Sequence, residues 1–93
     1  MESVIISVLD QYPVKRAALF GSAARGDMDE DSDVDMLVEM MPNTPGLEFF
    51  GLNMDLEEAL GCSVDLFTYN TLARAKPSFR ENVEREARII YDR

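Results

Sequence analysis

The sequence has no histidine, no tryptophan, a single cysteine and no apolar run of membrane-spanning length. Each absence closes a class of function. Without histidine both the usual zinc ligand and the usual general base are missing, so metal or acid–base chemistry would fall to carboxylates. Cys62 cannot form an internal disulfide and reads as a small buried hydrophobe. The stretch MESVIISVLDQYP lacks a basic lead, and Ser7 and Asp10 interrupt its apolar residues, which is not the pattern of a secretory leader. With no leader and no span of about 20 apolar residues, the expected setting is the cytoplasm, away from membranes.

Positive charge is scarce as well. Nine basic residues face eighteen acidic ones, a net charge of −9, which opposes nonspecific attraction to a phosphate backbone and leaves nucleic acid a poor candidate partner. The imbalance is uneven. Residues 1–72 carry three bases and fourteen acids (net −11), whereas residues 73–93 carry six bases and four acids (net +2). An acidic body with a mildly basic tail suits a basic protein partner. The surplus of Arg74, Lys76, Arg80, Arg85 and Arg88 is expected to face either nucleotide phosphates or an acidic patch of that partner.

Ninety-three residues, 46% of them hydrophobic, suit one domain over 1–93 with a single core, a size at which a bound partner or ligand adds usefully to stability. Val4, Ile5, Val8 and Leu9 recur at helical spacing before Tyr12-Pro13. VKRAALF (14–20) reads as a strand that runs into Gly21-Ser22, where Ser22 is placed to cap a short helix to Arg25. DVDMLVEM (33–40) alternates as a second strand, and PNTPG (42–46) is a loop. Leu47–Leu60 is a helix with Phe49, Leu52, Leu56 and Leu60 on one face and Gly61 as its stop. SVDLFTY (63–69) is a third strand. A turn of helix at 71–75, a helix from Pro77 to Ala87 built on Phe79, Val83 and Ala87, and a final strand in RIIYD complete an α/β (α+β) pattern. The six methionines read as core filler.

The chemistry concentrates at Gly21-Ser22 and, ten residues on, Asp33-x-Asp35. Strand residues two apart share a face at roughly 7 Å, so the two carboxylates point the same way and repel unless a cation lies between them. Magnesium fits that role, since one or two carboxylates plus substrate phosphates are its usual ligands, and two such ions can clamp an in-line phosphoryl displacement. The Gly21-Ser22 turn offers free amides and a hydroxyl for phosphate oxygens, with Arg25 one turn further as a possible guanidinium contact. Asp65, inside the otherwise apolar Val64-Asp65-Leu66, would hold the metal and take the acceptor's proton.

Plainer readings stand beside these. The alternation of Asp27, Asp29, Asp31, Asp33 and Asp35 suggests a calcium loop, but no register places glycine sixth and glutamate twelfth, so Asp27, Asp29 and Asp31 read as solvated loop charges. Asp33 and Asp35 could line an edge strand, Ser22 could serve only as a cap, Arg25 could pair with the acidic loop, and Asp65 could be a strand-end charge.

FGSAARGDMDEDSDVDMLVEM (20–40), with VDLFTY (64–69) in the place of a third-carboxylate strand, resembles the signature of the nucleotidyltransferase superfamily that includes DNA polymerase β, and specifically its minimal MNT-type members. The resemblance implies a mixed sheet flanked by helices, two magnesium ions held by Asp33, Asp35 and Asp65, and ATP as donor, with Gly21, Ser22 and Arg25 on the nucleotide. It further implies an antitoxin, paired in a hetero-oligomer with a HEPN ribonuclease toxin and transferring AMP to a toxin tyrosine. Lack of a second gripping domain favours a protein acceptor. Two alternatives stay open: a non-catalytic binding module that covers its partner, and nucleotidyl transfer to a small molecule.

Overall fold

The structure, a computed structural model, describes residues 2–26 and 33–93. Asp27, Asp29 and Asp31, read above as loop charges, lie outside the described residues. In chain order the elements are α1 (Glu2–Leu9), β1 (Val14–Phe20), α2 (Ser22–Arg25), β2 (Val34–Met40), α3 (Gly46–Leu60), β3 (Val64–Thr68), α4 (Tyr69–Ala73), α5 (Pro77–Glu86) and β4 (Arg88–Asp92). The strands form one mixed sheet in the order β3-β2-β1-β4, with β1 antiparallel to β2 and β4, and β2 parallel to β3.

Two-residue alternation divides the chain between the two faces of this sheet. On one face Val34, Met36 and Val38 of β2 and Val14, Ala17 and Leu19 of β1 are buried under Ile5, Val8 and Leu9 of α1 and Leu52 and Leu56 of α3. On the other, Ala18, Phe20 and Leu37 meet Leu72 of α4 and Val83 of α5 in a smaller cluster. α3 buries the side anticipated from its spacing, with Phe49 and Leu60 packed at the margin of the larger core, and it stops at Gly61, whose φ of 70° places it in the left-handed region. The Tyr12 hydroxyl, just beyond α1, donates to the Asp55 carboxylate of α3. That bond and the charge of Asp55 help push the Tyr12 pKa up to about 12.

Several expectations shift. The third strand ends at Thr68 because the Thr68 hydroxyl accepts from the Thr71 amide at 3.1 Å and starts α4 at Tyr69, two residues before the expected helical turn. Val4 and Phe79 were assigned to buried helix faces but are 41% and 39% exposed. The methionines do not all fill the core: Met36 is fully buried, whereas Met54 is 69% exposed beside Leu47 and Phe50 on the outward side of α3. Helical geometry requires this, because a helix that turns 49, 52, 56 and 60 inward turns 47, 50 and 54 outward. Cys62 is half-buried against the larger core. Among the described residues no helix is long and apolar enough to cross a membrane.

Candidate active site

β1 delivers the chain into Gly21, whose φ of 66° and ψ of −147° lie in a region that side chains other than glycine scarcely enter. A second constraint acts at the same residue. A Cβ built on Gly21 would stand 2.7 Å from Asp35 Oδ2, so the turn passes close over a carboxylate that any side chain there would have to displace. Gly21, not Ser22, is the N-cap of α2, and no side chain caps this helix. The carbonyl of Gly21 already accepts from the amides of Ala24 and Arg25 at 3.1 and 3.2 Å. Ser22 thus begins the helix, and the reading of it as the cap is corrected.

The three aspartates come together at the same end of the strands. Asp35 of β2 lies opposite Asp65 of β3 in the parallel register, and Asp33, exposed, immediately precedes β2. The Val34 amide donates to the Ser63 carbonyl at 3.0 Å at the start of this pairing, and the Val64 amide donates to Glu57 Oε2 at 3.0 Å, tying β3 to α3. Because β2 lies between β1 and β3, the edge-strand explanation of Asp33 and Asp35 fails. Asp65 does lie on an edge strand, exposed, as its second residue.

Electrostatically this cluster is unsatisfied. Burial, then the charges of Asp65 and Asp33, and a hydrogen bond with Asp65 hold the Asp35 carboxyl above its ordinary range. A proton or a cation relieves that repulsion, and oxygen-only ligands suit a hard divalent ion such as magnesium. No group of three His, Cys, Asp or Glu side chains among the described residues forms a cage able to hold an ion unaided.

Arg25 is ion-paired with Glu86 of α5 at 3.0 Å, which ties α2 to α5. Three residues of the basic tail have contacts within the chain: Arg80 donates to the Ala73 carbonyl at 3.4 Å, Arg85 to Asn82 at 3.4 Å, and Arg88 pairs with Glu2. Sequence reasoning missed Glu57 and Ser63, whose hydrogen bonds lie at the start of β3. Only the position of Glu57 in the last turn before Gly61 hinted at a role. A cavity of about 480 Å³ opens at the far end of the strands, lined by Arg16, Glu39, Thr68 and Tyr69 among others, but no member of the carboxylate cluster reaches it.

A glycine turn over paired strand carboxylates on a mixed sheet with flanking helices is the arrangement of a nucleotidyltransferase fold, and known proteins agree. A solved structure provisionally described as a minimal nucleotidyltransferase superposes with a TM-score of 0.74 at 34% identity, over 94% of this chain and 86% of the other. A toxin–antitoxin crystal structure with AMP-PNP gives a TM-score of 0.75 at 24% identity, over 99% and 73%. The complex of a tri-AMPylated Shewanella oneidensis HEPN toxin with its MNT antitoxin gives 0.67 at 22%, over 99% and 70%. Among relatives, a Methanocaldococcus jannaschii protein provisionally named a protein adenylyltransferase is 41% identical over 83 residues, 89% of this chain and 86% of the relative. Protein adenylyltransferase MntA of Thermococcus cleftensis is 40% identical over 76 residues, 80% and 77%. Residues 3–93 match the family model described as polymerase beta, nucleotidyltransferase, so this chain belongs to that family and is a nucleotidyltransferase.

Proposed function

We propose that this nucleotidyltransferase, working as one domain over 1–93, transfers AMP from magnesium-bound ATP to a hydroxyl, in particular a tyrosine hydroxyl, of a HEPN toxin, and so acts in the cytoplasm as the antitoxin of that pair. The observation that carries the reading is Asp35, opposite Asp65 and directly beneath the Gly21 turn. In this reading Gly21 and Ser22 hold the triphosphate tail, with Arg25 at its margin. Asp33, Asp35 and Asp65 hold two magnesium ions, which when bound supply the positive charge that neutralises the triphosphate and the developing negative charge of displacement. Asp65 lies on the exposed side of the cluster and takes the proton of the acceptor hydroxyl. The acceptor oxygen forms a bond to the α-phosphorus, the bond from that phosphorus to the α–β bridging oxygen breaks, and pyrophosphate leaves.

The names of the M. jannaschii and T. cleftensis relatives support protein AMPylation, and the fold shared with an antitoxin bound to an AMPylated HEPN toxin supports the partner. The test uses ATP labelled at either the α- or the γ-phosphate, incubated with the chain and its partner. α-Label should enter the partner, γ-label should not, and chelation of divalent ions should abolish incorporation. A tight complex that never acquires α-label would replace transfer with neutralisation by covering alone.

A further inference from the structure

Phe20, Phe67 and Phe79 form a three-ring cluster on the same sheet face as the carboxylates, with centroid separations of 5.7, 6.2 and 6.0 Å. Phe20 immediately precedes Gly21 and pairs with Asp35 across β1 and β2. Phe67 follows Asp65 by two residues on β3 and so lies on the same face, roughly 7 Å along the strand. Phe79 reaches this group from α5, its ring edge-on to that of Phe20. Phe20 is only 5% exposed, whereas Phe79, though packed on two other rings, keeps 39% of its surface in water. An aromatic ring packed on two others and still part-exposed can receive another flat apolar surface.

We propose that Phe79, backed by Phe20 and Phe67, is the platform on which the nucleobase of the donor nucleotide stacks. The inference rests on the nucleotide-transfer reading above and adds to it the group that grips the base. A nucleoside whose α-phosphate sits at Asp35 and Asp65 is tethered there by its ribose, and the rings lie about one strand repeat away on the same face. A base is thus delivered to this surface by every productive donor. An aromatic side chain of the acceptor would have to reach it independently. Stacking on a bare ring face carries no hydrogen-bond readout, so the platform favours a broad purine surface over a pyrimidine but separates adenine from guanine weakly.

The test measures dissociation constants by calorimetry, in magnesium, for a non-hydrolysable ATP analogue and for inorganic tripolyphosphate, with wild-type, Phe79→Leu and Phe79→Trp proteins. Leucine keeps the apolar packing but removes the ring face. The expected result for Phe79→Leu is an analogue affinity weakened about 5- to 100-fold, with tripolyphosphate affinity unchanged and Phe79→Trp close to wild type. Retained tripolyphosphate binding shows that the variant is folded. Equal weakening of both ligands, or no weakening of either, would overturn the platform. Wild-type protein that binds neither ligand would overturn the nucleotide reading itself, a separate and distinguishable failure.

Discussion

The two ends of one sheet face carry comparable numbers of polar groups and treat them oppositely. At the far end Arg16 donates to Glu39 at 2.6 Å and stacks over the Tyr69 ring at 5.2 Å, while Lys15 adds a longer contact to Glu39. The pairing with Arg16 lowers the Glu39 pKa. At the near end Asp33, Asp35 and Asp65 crowd together, the Asp35 pKa is raised, and the turn above them occupies a conformation that only glycine tolerates. One end pairs its opposite charges, though the buried Arg16 Nε finds no partner. The other keeps repulsion and a restricted backbone in place, and violations of local preference held by a well-packed scaffold mark where a protein works rather than merely folds.

The largest predicted effect is at the unsettled end. Replacing Asp33 and Asp35 together by asparagine keeps size and strand position but removes the charges that would hold magnesium, so AMP incorporation should fall by several orders of magnitude. Fold and partner affinity should survive. Label incorporation at the wild-type rate would remove these residues from the chemistry. Gly21→Ala tests the turn: its Cβ would meet Asp35 Oδ2 at 2.7 Å, and the backbone alone should cost about 1–3 kcal/mol of stability. A denaturant midpoint equal to wild type would show that the turn is not constrained as described.

Smaller effects sharpen the contrast through pH. Because the folded Asp35 pKa is raised, its contribution to stability is complete below the unfolded value and is lost as pH rises through the folded one. Asp35→Asn, in the absence of divalent ions, should therefore melt higher than wild type at neutral pH, with the difference narrowing as the pH falls. Glu39 runs the other way: its depressed pKa gives stability that is present above the unfolded value and lost as pH falls through the folded one. Glu39→Gln should flatten that acid-side loss slightly, since the pair is only part-buried and is screened by solvent, and should leave AMP transfer unchanged. Melting scans of both variants across the acidic range read the two slopes together, and slopes of the same sign would dissolve the contrast.

How much of this was legible in the sequence follows from which interactions are local. The alternation from Val34 to Val38 and the Gly-Ser at the end of an apolar strand are local patterns, and the second strand and the turn lie where they point, although β2 begins at Val34 and leaves Asp33 just outside it. The face of α3 came from spacing in the same way. Alignment of Asp65 with Asp35 was not legible, because it depends on β3 lying parallel to β2, a pairing that no short window contains. The second reason for Gly21, the carboxylate beneath it, is likewise tertiary. Ser22 was misjudged because serine favours N-cap positions generally, and here the glycine needed by the turn already holds that position. The spacing of Phe79 matches Val83 and so reads as core, but Phe79 meets the Phe20 and Phe67 rings and still stays 39% exposed.

The central claim is that the carboxylate end of the sheet is an incomplete ion site, finished by a nucleotide. Its most direct test is the melting temperature of the wild-type chain with magnesium alone, with a non-hydrolysable ATP analogue alone, and with both. Ligand binding to the folded state raises stability in proportion to the logarithm of saturation, so the account predicts that the pair together stabilises by clearly more than the sum of the separate shifts. It also predicts that the excess vanishes in Asp33→Asn/Asp35→Asn. Shifts that merely add in the wild type, or an excess that persists in the double variant, would contradict it.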